Sequence, residues 1–217
     1  MSLAIFDLDN TLIAGDSDHA WGEFLVRHQY VDAEHYRQAN DRFHQQYTEG
    51  QLDILEYLQF ALAPLANHDR ATLEQWRSRF MTEVITPMML PAAKSLLSKH
   101  REAGDTLLII TATNRFITEP IAEALQVDDL IAVEPEIIDG RYTGRIAGLP
   151  TFQEGKVTRL KQWLTSHQMT LSGSYFYSDS RNDLPLLEQV DHPVAVDPDP
   201  TLRARAEAEG WPIISLR

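Results

Sequence analysis

The sequence predicts an α/β fold, a Rossmann-like parallel sheet covered by helices with an all-helical insertion. From residue 91 onward, short apolar runs of strand length alternate with amphipathic helical stretches, the pattern of parallel strands joined by crossover helices. A further apolar run, Ala4-Ile5-Phe6, opens the chain. Between them, residues 16–86 carry helical periodicity and no convincing strand.

The elements follow in order. The opening strand ends in Asp7-Leu8-Asp9-Asn10-Thr11. Trp21, Phe24 and Leu25, then Leu52, Leu55, Leu58 and Leu62, recur at helical spacing, and residues 69–72 start another helix. Pro87 and Pro91 mark the return to a different kind of chain. Pro at its start and Gly104 at its end bound a helix over Pro91–Ala103. A buried strand is predicted over 107–111, another over 131–138, and a hairpin turn at Asp139-Gly140. A helix over 156–167 places Val157, Leu160, Trp163 and Leu164 on one side. Strands over 175–178, 194–196 and 213–216, with a helix over 202–209 before the last, complete the alternation.

Composition narrows the function. The 217 residues, 43% of them hydrophobic, suit one large domain or one domain with an insertion. A net charge of −13 argues against nucleic acid, whose phosphates require clustered Lys and Arg. No apolar run approaches the roughly 20 residues of a membrane span, and the chain opens directly in a strand without a signal segment. The absence of cysteine removes disulfides and thiolate metal sites and fits a reducing cytosol. A soluble, cytoplasmic protein with a small-molecule partner is expected, of undetermined oligomeric state. The eight histidines lack the tight spacing of a zinc site, and no Gly-rich dinucleotide loop is present. Trp21, Trp76, Trp163 and Trp211 read most simply as packing residues.

The chemistry lies at strand ends. Residues i and i+2 of a strand share a face, so Asp7 and Asp9 can look into one cleft. Their mutual repulsion is relieved by a hard cation such as Mg²⁺. Aspartate at a strand end also makes ordinary turns, so the other strand ends must be weighed with it. Open parallel sheets bind ligands beyond the carboxyl ends of their strands. There the second strand delivers Thr111-Ala112-Thr113-Asn114 and a later one Ser178-Asp179-Ser180-Arg181-Asn182-Asp183. Lys156 follows Gly155 at a predicted helix start. Alone it would read as an exposed lysine, and Thr111 as a strand residue.

Taken together, DLDNT, Ile109-Ile110-Thr111-Ala112-Thr113, Gly155-Lys156 and YSDSRNDLPLL resemble the four motifs of the haloacid dehalogenase-like phosphatases, closest to the phosphoserine-phosphatase-like branch. The resemblance spans nearly the whole chain. It implies Asp7 as a nucleophile that forms an aspartyl-phosphate, and Asp9 as acid to the leaving alkoxide and then base to water. It implies Mg²⁺ between Asp7, the Asp9 carbonyl and Asp179, with Asp183 and Asn182 behind these ligands. Thr111, the amides from Ala112 onward and Lys156 would receive the phosphoryl oxygens.

The same resemblance implies a core formed by residues 1–15 and 87–217, and a helical cap over 16–86 that chooses the substrate. That segment holds twelve acidic residues against six arginines and no lysine. Phosphoserine-specific relatives hold the substrate ammonium with an acid at the place of Asp16, and grip the carboxylate with a cap arginine after a Glu-Gly pair. Glu49-Gly50 is present, but no Lys or Arg occurs between Phe43 and Asp69. A buried carboxylate without a cationic partner costs several kcal/mol. An amine-bearing ester without a carboxylate is therefore expected, with L-histidinol phosphate the best fit and histidine biosynthesis the setting. Asp16, Asp18, Trp21, Glu49 and Asp53 are the candidate cap contacts, although Arg37 or Arg42 could also reach the cleft. Phosphoserine or another small metabolite ester is the alternative substrate. A phosphoaspartyl signalling module is the distant alternative, disfavoured by the large insert and by Asp9 beside the nucleophile.

Overall fold

The computed structural model describes residues 2–217. The chain runs through β1 (Leu3–Phe6), then α1 (Ser17–Arg27), α2 (Ala33–Glu49), α3 (Ile54–Ala66) and α4 (Arg70–Phe80). A π turn at Met81–Ile85 and α5 (Thr86–Met88) lead into α6 (Pro91–Ala103), β2 (Thr106–Asn114), α7 (Arg115–Leu125) and β3 (Asp129–Val133). A hairpin follows, β4 (Pro135–Ile138) and β5 (Arg141–Ile146), then α8 (Glu154–His167) and β6 (Tyr175–Ser178). The remainder is α9 (Leu184–Leu187), β7 (His192–Val196), α10 (Pro200–Glu209) and β8 (Ile213–Ile214).

Six strands form a parallel sheet in the order β3-β2-β1-β6-β7-β8. From β1 the chain winds outward through β2 and β3, then returns to the other side of β1 at β6. The strand order therefore reverses beside β1, and the crevice beyond the carboxyl ends of β1 and β6 is the place where such sheets bind ligands. β1 is buried throughout because helices cover both faces, which explains its unbroken apolar sequence. Its side chains alternate between two cores: Ala4 and Phe6 face one, Leu3 and Ile5 the other. Val157, Leu160 and Leu164 of α8 close the second core.

The helical insert packs on the first core. Trp21 stacks on Phe24 and meets Phe80 and Phe116 edge-on, with ring centroids 5.2 Å and 5.8 Å away. Its four helices each begin at an aspartate: Asp16, Asp32, Asp53 and Asp69 accept hydrogen bonds from the first-turn amides of α1 to α4. Each such cap contributes about 1 kcal/mol. Part of the insert's acidity is thus helix capping rather than ligand recognition.

Several element ends shift by about two residues, the last strand stopping at Ile214, and three differences change the local architecture. The run 131–138 splits at Glu134 into β3, in the main sheet, and β4, which pairs only with β5. The strand expected over 107–111 continues to Asn114, with its register to β3 broken between Ile110 and Asn114. Pro87 does not end the helical path, because the preceding turn widens and Thr86 bonds to the Met81 carbonyl. Among the described residues no helix is long and apolar enough to cross a membrane.

Candidate active site

The end of β1 supplies the first two carboxylates. The Asp7 amide donates to the Tyr177 carbonyl at 2.9 Å, extending the β1–β6 pairing one residue and drawing Asp7 towards Asp179. The next turn is tight: Leu12 bonds back to the Leu8 carbonyl, Asn10 adopts φ +56°, and the Ala14 amide donates to the Met88 carbonyl. That last bond ties the exit of the first motif to the return of the insert. Thr11 Oγ1 lies 3.4 Å from Asp7 Oδ2 and 3.1 Å from Asp179 Oδ1, and receives the Asp179 amide at 3.1 Å.

Lys156, in the first turn of α8, is 3% exposed and so is not the solvated lysine its residue type suggests. Its Nζ lies 2.7 Å from Asp7 Oδ1 and 2.7 Å from Asp183 Oδ1. Burial works against the ammonium, but the Asp183 and Asp7 carboxylates outweigh it and hold its pKa above the usual lysine value. Ser178 Oγ donates to Asp183 at 2.7 Å. Gln153 Nε2 donates to Asn182 Oδ1 at 3.2 Å, binding the start of α8 to the β6 loop. Gly155 is needed for this approach, since a Cβ there would sit 2.1 Å from the Pro150 carbonyl oxygen.

Burial raises Asp7 to about 7 against the pull of Lys156, and raises Asp179 well above the usual carboxylate range with Asp7 and Asp183 adding repulsion. Asp9 points elsewhere. It accepts from the Ser17 amide at 2.6 Å and from Thr113 Oγ1 at 2.8 Å, with Thr111 Oγ1 at 3.4 Å. Burial, with the Asp16 charge, lifts it to about 6. The irregular end of β2 turns both threonines towards it. Thr111 Oγ1 also accepts from the Thr113 amide at 3.1 Å.

A cleft lies between these strand ends and the insert, with Asp7, Asp9, Thr111 and Ala112 along its core side. Its insert side carries Asp16, Asp18, Phe43, His44, Tyr47 and Tyr57. Three expected cap contacts lie elsewhere. Trp21 is consumed by the aromatic core, Glu49 is exposed at the end of α2 where Gln45 donates to it, and Asp53 is an exposed cap of α3. Arg37 and Arg42 are also exposed, and Arg42 pairs with Glu56 at 3.1 Å. Among the lining residues there is no Lys or Arg. Tyr47, His44 and Tyr57 were not singled out by sequence, because a half-buried aromatic on an amphipathic helix looks like a core residue. Thr113 was visible within its motif but had no assigned partner.

The haloacid dehalogenase-like hydrolase family model matches residues 4–188. The chain is 45% identical over 220 residues to a histidinol-phosphatase from Neisseria meningitidis serogroup C, covering 100% of this chain and 99% of that one. A Bordetella pertussis Tohama I protein of unknown function, with a crystal structure, is 46% identical at a TM-score of 0.94, covering 100% of this chain and 99% of that one. The structure of a phospho-aspartyl intermediate analogue of phosphoserine phosphatase shares the fold at 16% identity and a TM-score of 0.72, over 100% of this chain and 93% of that one. The buried Asp7–Lys156–Asp183 cluster at the switch point of a parallel sheet and the match over most of the sequence agree: this chain belongs to the haloacid dehalogenase-like hydrolases and is a phosphatase of that family.

Proposed function

We propose that this phosphatase is a Mg²⁺-dependent phosphomonoesterase acting through an aspartyl-phosphate on Asp7, with L-histidinol phosphate as substrate. The observation that carries the reading is the separation of two carboxylates with different partners: buried Asp7 against Lys156, and half-buried Asp9 against Thr113 and the Ser17 amide. One is placed beside a fixed cation, as a nucleophile approaching an anionic phosphate requires. The other is held by hydroxyl and amide donors away from that cation, where a group that gives and then takes a proton is not locked in an ion pair.

An Asp7 carboxylate oxygen attacks phosphorus and the ester P–O bond breaks, with the Asp9 proton going to the leaving alkoxide. Water then attacks phosphorus, Asp9 takes its proton, and the Asp7–phosphate bond breaks to regenerate the carboxylate. Lys156, Thr111 and the amides beyond it balance charge on the phosphoryl oxygens. Asp183, with Asn182 beside it, holds Lys156 towards Asp7. The donor set suits Mg²⁺: Asp7 and Asp179 contact the same Thr11 hydroxyl, all available donors are oxygens, and both acids are raised by burial and by neighbouring carboxylates. Asp7, the Asp9 carbonyl and Asp179 would hold the ion, which neutralises charge between nucleophile and phosphoryl group.

Residues 1–15 and 87–217 act as the catalytic core and 16–86 as the cap that selects the leaving group. The cleft offers carboxylates, aromatic rings and two histidines but no guanidinium or ammonium on its insert side. It suits a cationic, carboxylate-free leaving group, and the Neisseria relative bears the matching name. A panel of small phosphate esters scored by kcat/KM tests the substrate, with Asp7→Asn as control. L-histidinol phosphate is expected to lead. Phosphoserine turning over well above it would reject the choice, and activity persisting in Asp7→Asn would reject the nucleophile.

A further inference from the structure

Two acids face the leaving-group side of the cleft, two residues apart, and their surroundings differ. Asp16 is already engaged. Its Oδ1 accepts from the Asp18 and His19 amides, each at 2.9 Å, and its Oδ2 lies 3.3 Å from His44 Nδ1. Although burial opposes it, these hydrogen bonds hold Asp16 below the usual carboxylate range. It closes the N-terminus of α1, a structural task.

Asp18 lines the same cleft but lacks a counter-charge. It is 7% exposed, on the first turn of α1. The Tyr57 hydroxyl from α3, in the same cleft, is the group that eases the ionised Asp18 carboxyl against its burial. Asp16 and Asp9 add negative charge around it, and the half-buried Tyr36 contributes no cation. The histidines of this cleft are committed: His44 to Asp16, and His19 to Asp41 at 3.1 Å. A buried carboxylate with one neutral donor is poorly compensated by the protein and well suited to an ammonium that can reach it.

We propose that Asp18, oriented by Tyr57, receives the ammonium group of the substrate, while Asp16 only positions α1 and His44. The proposal rests on the amine-ester reading above and reassigns the acid that sequence position alone would select. Asp18 is then a binding residue and Tyr57 a positioning residue.

The test uses two esters that differ in one group, 2-aminoethyl phosphate and ethyl phosphate. The quantity read is the ratio of their kcat/KM values within one preparation, from which the fraction of active protein cancels. The wild type is expected to prefer the amine. Asp18→Asn should cut that ratio about 10- to 100-fold, the worth of a charge-assisted contact. Tyr57→Phe should cut it less, with the loss in KM rather than kcat, and Asp18→Glu should restore part of it. Asp16→Asn should leave the ratio within about threefold while lowering thermal stability, as loss of a helix cap does. A ratio intact in Asp18→Asn, or one that collapses in Asp16→Asn instead, overturns this assignment and leaves the substrate class standing. A wild type without amine preference overturns both.

Discussion

Lys156 Nζ lies 2.7 Å from Asp7 Oδ1 although 149 residues separate them in the chain. The contact joins the first turn of α8 to the end of β1, and Asp183 completes it from the β6 loop. One ammonium therefore holds three distant segments together and sets the charge of the group proposed as nucleophile.

Replacing Lys156 by Met leaves two buried carboxylates without a cation. Activity should fall by at least about 100-fold. Stability should fall by about 3–5 kcal/mol at pH 8, the cost of breaking a buried ion pair from one side. The loss should shrink at pH 5, where Asp7, whose carboxyl burial raises to about 7, can protonate. Denaturant unfolding at the two pH values checks this, and equal losses at both would contradict it.

Asp18 provides a second pH test. Burial raises its carboxyl to about 8 from the unfolded 3.8, so the folded chain binds the extra proton between those values. Its contribution to stability is present below about pH 4 and is lost as pH rises through about 8. Asp18→Asn should therefore be more stable than the wild type at pH 8, by about 1–3 kcal/mol, and no more stable at pH 4. A mutant less stable at pH 8 would count against the unpaired-carboxylate account.

Metal binding should instead strengthen as pH rises. With Asp7 raised to about 7 and Asp179 also raised, the ion must displace protons. Titration calorimetry with Mg²⁺ should show tighter binding at pH 8 than at pH 6 and proton release to the buffer. Chelation should remove phosphatase activity, and Mg²⁺ should restore it.

Thr113 stabilises the ionised form of Asp9 through its 2.8 Å hydrogen bond. Thr113→Val should push Asp9 above its value of about 6. With Asp9 as the proposed acid to the leaving alkoxide, the alkaline limb of kcat/KM should move to higher pH. A profile unchanged by the substitution would separate Asp9 from that limb.

Gly155 sets the approach of α8. A methyl group there would collide with the Pro150 carbonyl, so Gly155→Ala should displace Lys156 and cost about 1–3 kcal/mol through overpacking. A drop in kcat of about tenfold or more should accompany it.

Much of this was legible in the linear chain. Buried parallel strands must be apolar throughout and end abruptly in polar residues, so Phe6-Asp7 and Ser178-Asp179 announced both the sheet and the edge where its carboxylates gather. The Pro91 and Gly104 boundaries of α6 were local backbone chemistry and were also readable. Which acids of residues 16–86 face the cleft was not readable, because helix caps and ligand contacts use the same residue. Asp53 and Asp69 spend their carboxylates on amides, Asp16 spends most of its own, and Asp18 does not. Tyr47, His44 and Tyr57 were hidden for a related reason, since their sequence periodicity serves a core and a cleft equally.

Neighbouring residues alone specify the parallel α/β sheet, the helical stretch over 16–86 and the polar residues at the strand ends, because strand burial and turn chemistry are local. Only the tertiary structure decided that Lys156 meets Asp7 and Asp183, that Thr113 meets Asp9, and that Asp18 lacks a cation. Those are electrostatic relations through space, fixed by how α1, α8 and the strand ends pack, and no spacing along the chain encodes them.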